Sequence, residues 1–117
     1  MVVDDNNSFT DAVSHLLVAD GFDMVGAAAD HEHGLELISD LCPDVALVDL
    51  YLGEGNGLDL IADIVRSGLA ERMFMILMSS CAPDALRTVF EGSDADAYLP
   101  KTELSGDAIR DSLGGML

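Results

Sequence analysis

Short apolar runs alternate along the chain with longer segments in which apolar residues recur at helical spacing. Strands are predicted at residues 1–3, 24–28, 45–48, 74–78 and 97–99, and helices at about 8–20, 31–41, 58–68, 83–91 and 104–113. In the first helix Phe9, Val13, Leu16 and Leu17 stand at i, i+4, i+7 and i+8, and Gly21 supplies the stop. The second begins after Asp30, a residue suited to cap free N–H groups, and presents Leu35, Ile38 and Leu41. The third carries Leu58, Ile61, Ala62 and Val65 up to Gly68. The fourth has Pro83 in its first turn, where a missing N–H costs little, and runs through Leu86 and Phe90 to Gly92.

The runs at 45–48 and 74–78 are continuously apolar instead of alternating, the pattern of strands buried on both faces. Strands of that kind, separated by single helices, imply right-handed βαβ crossovers and a parallel sheet. The expected fold is therefore α/β: a doubly wound domain of five βα units, without repeats, low-complexity tracts or linkers. The first strand has only three residues before acids begin, which reads as a trimmed or unusually short strand.

A length of 117 residues suits one domain, and 50% hydrophobic residues give it a core, which excludes disorder. The 22 Asp and Glu against 5 Lys and Arg leave a net charge of −17, which argues against direct nucleic-acid binding and against an anionic membrane surface. Cys42 and Cys81 form no CxxC pair, as in a reduced cytoplasmic protein. The segment MVVDDNN carries no basic n-region or long apolar stretch, and no apolar window of about 18 residues stands anywhere in the sequence. The expectation is a soluble, cytoplasmic protein.

Ligands of an open parallel sheet bind beyond the carboxyl ends of its strands. The first strand ends in Asp4 and Asp5, the third in Asp49 and the fourth in Ser79 and Ser80, and Lys101 follows the fifth closely. Carboxylates held so near repel and raise one another's proton affinity unless a cation neutralises them. A hard divalent ion such as Mg²⁺, held by one or two carboxylates and water, is the economical answer. Lys101, the only lysine, stands where an anionic oxygen would be paired.

Asp4, Asp5, Asp49, Ser79 and Lys101, with the intervals between them, resemble the receiver domain of bacterial two-component response regulators, over essentially the whole chain. The resemblance implies a flavodoxin-like fold with strand order 2-1-3-4-5. It makes Asp49 the phosphoacceptor, charged by a phosphohistidine of a sensor histidine kinase. Asp5, Asp49 and the backbone carbonyl of Tyr51 would ligate Mg²⁺, with Asp4 acting through a bound water. Ser79 and Lys101 would contact phosphoryl oxygens, and Tyr98 would turn inward as Ser79 moves, altering the surface of the fourth helix, fifth strand and fifth helix. On this reading residues 1–117 are one receiver, with an output domain absent from this chain. The YLPK segment without a following proline resembles receivers joined to LuxR-type helix-turn-helix domains, and homodimerisation through the last helices would follow phosphorylation.

Several features depart from the family pattern or read as structural. Thr102 stands where many receivers have proline, so no cis peptide is expected there; Gly53 replaces a frequent proline, and Ser79 a threonine. Tyr51 and Cys81 flank the expected water path, where a bulky Tyr51 would slow loss of the phosphoryl group. His31 and His33 at i and i+2 do not share a helix face, so they are not expected to chelate. His15 reads as a surface residue, and Met73, Met75 and Met78 as core filler. The run 53–57 lacks the GxGxxG spacing of a nucleotide loop and reads as a tight connection with Gly57 opening the third helix. An alternative of another class is an aspartyl-phosphate hydrolase. Such enzymes want a second acid two places after the nucleophile, where this chain has Tyr51. A third is a degenerate receiver that only binds a partner.

Overall fold

A computed structural model describes residues 1–53 and 55–114, Pro83 through its backbone alone. Five strands alternate with five α-helices: β1 (Val2–Val3), α1 (Asn7–Ala19), β2 (Ala27–Ala28), α2 (His31–Leu41), β3 (Val45–Asp49), α3 (Gly57–Arg66), β4 (Phe74–Ser79), α4 (Pro83–Glu91), β5 (Ala97–Pro100) and α5 (Gly106–Leu113). The strands form one parallel sheet in the order β2-β1-β3-β4-β5, the expected doubly wound architecture.

Burial on both faces of β3 and β4 divides the core in two. On one side Val3, Ala46, Val48, Met75 and Leu77 meet Ile38 of α2, Leu60, Ile61 and Ile64 of α3, and Leu86 of α4. On the other, Val2, Leu47, Ile76 and Met78 meet Val13 and Leu17 of α1 and Ile109 of α5. Met73, Met75 and Met78 are core residues, as expected.

Caps explain most helix starts. Asn6, Asp30, Asn56 and Ser105 each accept a backbone N–H three residues on, from Phe9, His33, Asp59 and Ala108. Ser105 therefore starts the fifth helix at Gly106, two residues later than expected, after a 3₁₀ turn over Lys101–Glu103. Gly68, at φ +75, ends the turn after α3 and leads into a second 3₁₀ segment, Leu69–Arg72, that periodicity did not show.

Other elements also depart from expectation. The stripe of α3 was placed on Leu58, Ile61, Ala62 and Val65, but the buried residues are Gly57, Leu60, Ile61 and Ile64, and Val65 is 40% exposed. This helix is apolar on most sides, so two stripes compete, and the docking of Gly57 against β3 selects one. Leu16 and Leu41 likewise sit on exposed flanks of their helices. Between β3 and α3, Tyr51–Leu52 pairs with Gly55–Asn56 as a small antiparallel hairpin, where a plain connection was expected. Glu54 of that run lies outside the described residues.

The second strand was expected over 24–28 and pairs only at Ala27 and Ala28. Its register with β1 sets Val2 opposite Ala27 and Val3 opposite Ala28, which puts Met1 level with Gly26. Beside this stretch lies a cavity of about 440 Å³, lined by Leu17, Met24, Val25, Val45, Leu47 and Ile109 among others. Inserting Val-Ile between Met1 and Val2 should carry β1 into this space and extend β2 to Met24. Thermal unfolding should show a gain of about 1–3 kcal/mol, what burying two aliphatic side chains leaves after the entropy of ordering two more residues, against no gain for a Gly-Ser insertion.

Candidate functional site

Because every strand of the sheet is parallel, the residues that end β1, β3, β4 and β5 share one edge. Asp4 follows β1 and is only 1% exposed; Asp49 closes β3 and is 4% exposed. Asp4 donates its backbone N–H to the Ala28 carbonyl at 2.9 Å, which pins the turn. Its Oδ1 accepts the Asn6 N–H at 2.8 Å. Lys101, whose side chain is 13% exposed, reaches in from the far end of the sheet. Its Nζ lies 2.7 Å from Asp4 Oδ2 and 3.3 Å from Asp49 Oδ2. Asp5 is exposed, and its Oδ2 accepts the Gly53 N–H at 3.0 Å, tying the β1 turn to the hairpin after β3.

The loop that presents Asp49 is held at both ends. Leu50 N–H donates to the Met78 carbonyl and Gly57 N–H to the Leu50 carbonyl, each at 2.8 Å. A Cβ at position 57 would collide with the Asp49 carbonyl oxygen and press on Val48, so only glycine lets α3 start this close to the acid. Ser79 is fully buried one position beyond Met78, the register partner of Asp49, and its Oγ accepts the Cys81 N–H at 3.1 Å.

Electrostatics sets the protonation of this group. Burial, and then the neighbouring Asp4 charge, push the Asp49 carboxyl up to about 6, with Lys101 and a backbone hydrogen bond from Tyr51 pulling the other way. For Lys101 burial works against the charged form, but the close ion pair with Asp4 and the charge of Asp49 outweigh it, so its proton is held more tightly than usual.

One carboxylate oxygen from each of Asp4, Asp5 and Asp49 lies within 4.8 Å of the other two. Asp4 Oδ2, though paired in charge with Lys101, is buried without a directed hydrogen bond. An all-oxygen set with an unsatisfied buried acceptor suits a hard divalent cation such as Mg²⁺.

The structure thus brings together Asp4, Asp5, Asp49 and Lys101, with Ser79 at the end of the strand next to Asp49. The side chain of Tyr51 points to solvent from the hairpin. Tyr98 sits half-buried on β5, its ring centroid 4.9 Å from that of Phe90. His31 does not chelate with His33; its Nε2 meets Asp63 Oδ2 at 2.7 Å and joins α2 to α3. Arg66 holds the same carboxylate, and Arg66 and His31 together keep Asp63 below its usual range. His15 is exposed. Two residues of the site escaped the sequence reading. Asn6 was not singled out, and Phe9 was counted as core, yet its ring lies 4.3 Å below the Lys101 ammonium.

The raised Asp49 carboxyl carries a stability consequence. Its folded value, about 6, exceeds the ordinary 3.8, so the native state loses stability as pH rises through that interval. Asp49→Asn should be the more stable protein at pH 7 in chelator, by on the order of 1–2 kcal/mol after allowance for screening. The gap should close below pH 4, and Mg²⁺ should stabilise the parent but not the variant; urea unfolding across pH tests all three points.

Comparison with known proteins agrees with this edge chemistry. The response regulator receiver domain model matches residues 1–113. The nitrate/nitrite response regulator NarL of Escherichia coli is 30% identical over 102 residues, 86% of this chain and 46% of that protein. A protein-glutamate methylesterase/protein-glutamine glutaminase of Halobacterium salinarum is 28% identical, over 91% of this chain and 32% of its own length. The chain therefore spans less than half of these relatives. Among solved structures, the receiver domain of a Mycobacterium tuberculosis NarL superposes with a TM-score of 0.80 at 29% identity, covering 97% of this chain and 94% of that one. A Burkholderia pseudomallei response regulator, determined with a phosphorylated aspartic acid and a calcium ion, gives 0.79 at 26% identity over 96% and 64% of the two chains. With sheet order, acid edge and sequence match in accord, the chain belongs to the response regulator receiver domain family.

Proposed function

We propose that Asp49 is the phosphoacceptor of a signalling switch. The observation that carries this reading is a buried carboxylate facing a single ammonium, with two further carboxylates within metal-binding reach. An Asp49 oxygen attacks phosphorus in line, the N–P bond of a kinase phosphohistidine breaks, and the imidazole keeps the electron pair and is protonated. Bound Mg²⁺ supplies charge neutralisation for the transferring phosphoryl oxygens. Asp5, Asp49 and the Tyr51 carbonyl would hold that ion, with Asp4 acting through water. Lys101 pairs with one phosphoryl oxygen, and the Ser79 hydroxyl donates to another. Tyr98 then rotates toward the space Ser79 leaves, and the α4, β5 and α5 surface changes.

The product is an acyl phosphate that water hydrolyses, so the mark erases itself and the chain is a switch, not a multiple-turnover enzyme. Tyr51 beside the water path slows that loss. Similarity to NarL favours transcription control through an attached DNA-binding part, with a sensor histidine kinase upstream, homodimerisation on phosphorylation and a cytoplasmic setting. The charge of −17 leaves DNA contact to that other part. Among the described residues no helix is long and apolar enough to cross a membrane.

Incubation with Mg²⁺ and acetyl phosphate should give one phosphoryl adduct by intact mass, absent from Asp49→Asn and from samples with chelator. Rapid partner-free turnover of an aryl phosphate would instead establish the hydrolase. A protein that neither binds millimolar Mg²⁺ nor forms an adduct would be a binding module alone.

A further inference from the structure

We infer that Phe9 is a positioning residue for Lys101, holding its ammonium over the acid pocket through the face of its ring. The inference rests on the reading of Asp49 as the acceptor. The Lys101 nitrogen lies 4.3 Å from the Phe9 ring centroid, within the range of a cation–π contact. It has two carboxylate partners, Asp4 Oδ2 and Asp49 Oδ2, at 2.7 and 3.3 Å. A lysine ammonium is a strongly hydrated point charge, and a side chain only 13% exposed has given up most of that water. The ring face returns part of the lost solvation.

The contact closes a circuit. Asp4 Oδ1 accepts the Asn6 N–H at 2.8 Å, and Asn6 Oδ1 accepts the Phe9 N–H at 3.1 Å. The Phe9 ring meets Lys101, and Lys101 returns to Asp4. The first turn of α1 is thus fixed to the pocket by its cap and by its aromatic ring. Phe9 also packs against the buried cluster that holds Val13, Leu17 and Ile109 on the α1 and α5 side of the core, so the ring is itself held in place.

A ring face suits this task better than an oxygen would. Hydrogen bonds weaken steeply off line, whereas attraction to a ring face varies gently as the cation slides across it. Lys101 must leave Asp49 Oδ2 as the phosphoryl group arrives and follow its oxygen outward. A third carbonyl partner would resist that swing, and the ring allows it.

Lys101 is the only lysine, so lysine labelled with ¹³C and ¹⁵N gives one side-chain signal set. In the parent protein the Lys101 ε-methylene protons should be shifted upfield by the ring; Phe9→Leu should abolish the shift and Phe9→Tyr keep it. With Mg²⁺ and acetyl phosphate, Phe9→Leu should form the Asp49 adduct about three- to tenfold more slowly, and Phe9→Tyr should restore most of the rate. In a Lys101→Met background Phe9→Leu should cost nothing further. An unshifted lysine in the parent overturns the inference. So does an equal loss in Leu and Tyr variants, or a Leu loss that persists without Lys101, since either marks a packing role. A ring-shifted lysine in a parent that forms no Asp49-dependent adduct overturns the acceptor reading and leaves the Phe9 contact standing.

Discussion

Like charges at one sheet edge are the constraint around which this molecule is arranged. Parallel topology sends the ends of β1, β3 and β5 to the same side, and with them Asp4, Asp49 and Lys101. Two buried carboxylates share one ammonium, so the pocket keeps a negative excess that folding alone does not cancel. A protein selected only for stability would place an amide or an aliphatic group at position 49. Retaining the charge leaves the pocket receptive to a divalent cation and to the phosphoryl chemistry of its family.

The surroundings contain that excess instead of dispersing it. β3 and β4 are sealed on both faces by aliphatic and methionine side chains, which denies the acids solvent from behind. In front, Asn6 and Gly53 donate backbone N–H groups to Asp4 and Asp5, compensating part of the charge without adding a second cation. The remaining acids lie mostly on the surface, where water screens them.

How much of this the chain disclosed depended on the physics behind each signal. Continuous apolar runs at 45–48 and 74–78 marked buried parallel strands, and acids directly after short strands marked the edge, because both signals are local. Asp30 was readable as a cap for the same reason. What periodicity missed was decided by long-range packing. The buried stripe of α3 turns on the fit of Gly57 against Asp49, and the length of β2 on its pairing with β1. Phe9 was legible as an apolar helix residue, but its place beneath Lys101 joins positions far apart in sequence, and no local pattern reports that.

The hairpin after β3 is closed at its base by the Gly57 to Leu50 hydrogen bond and by the tight approach of Gly57 to the Asp49 carbonyl. Tyr51–Leu52 and Gly55–Asn56 therefore form a handle beside the acid: its outward side chains can change while the backbone contacts of Leu50 and Gly57 that aim Asp49 stay in place. A lineage can alter bulk and polarity beside the acid through this handle while the aim of the acid stays fixed. The duration of a signal and the competence to receive it become separately heritable traits.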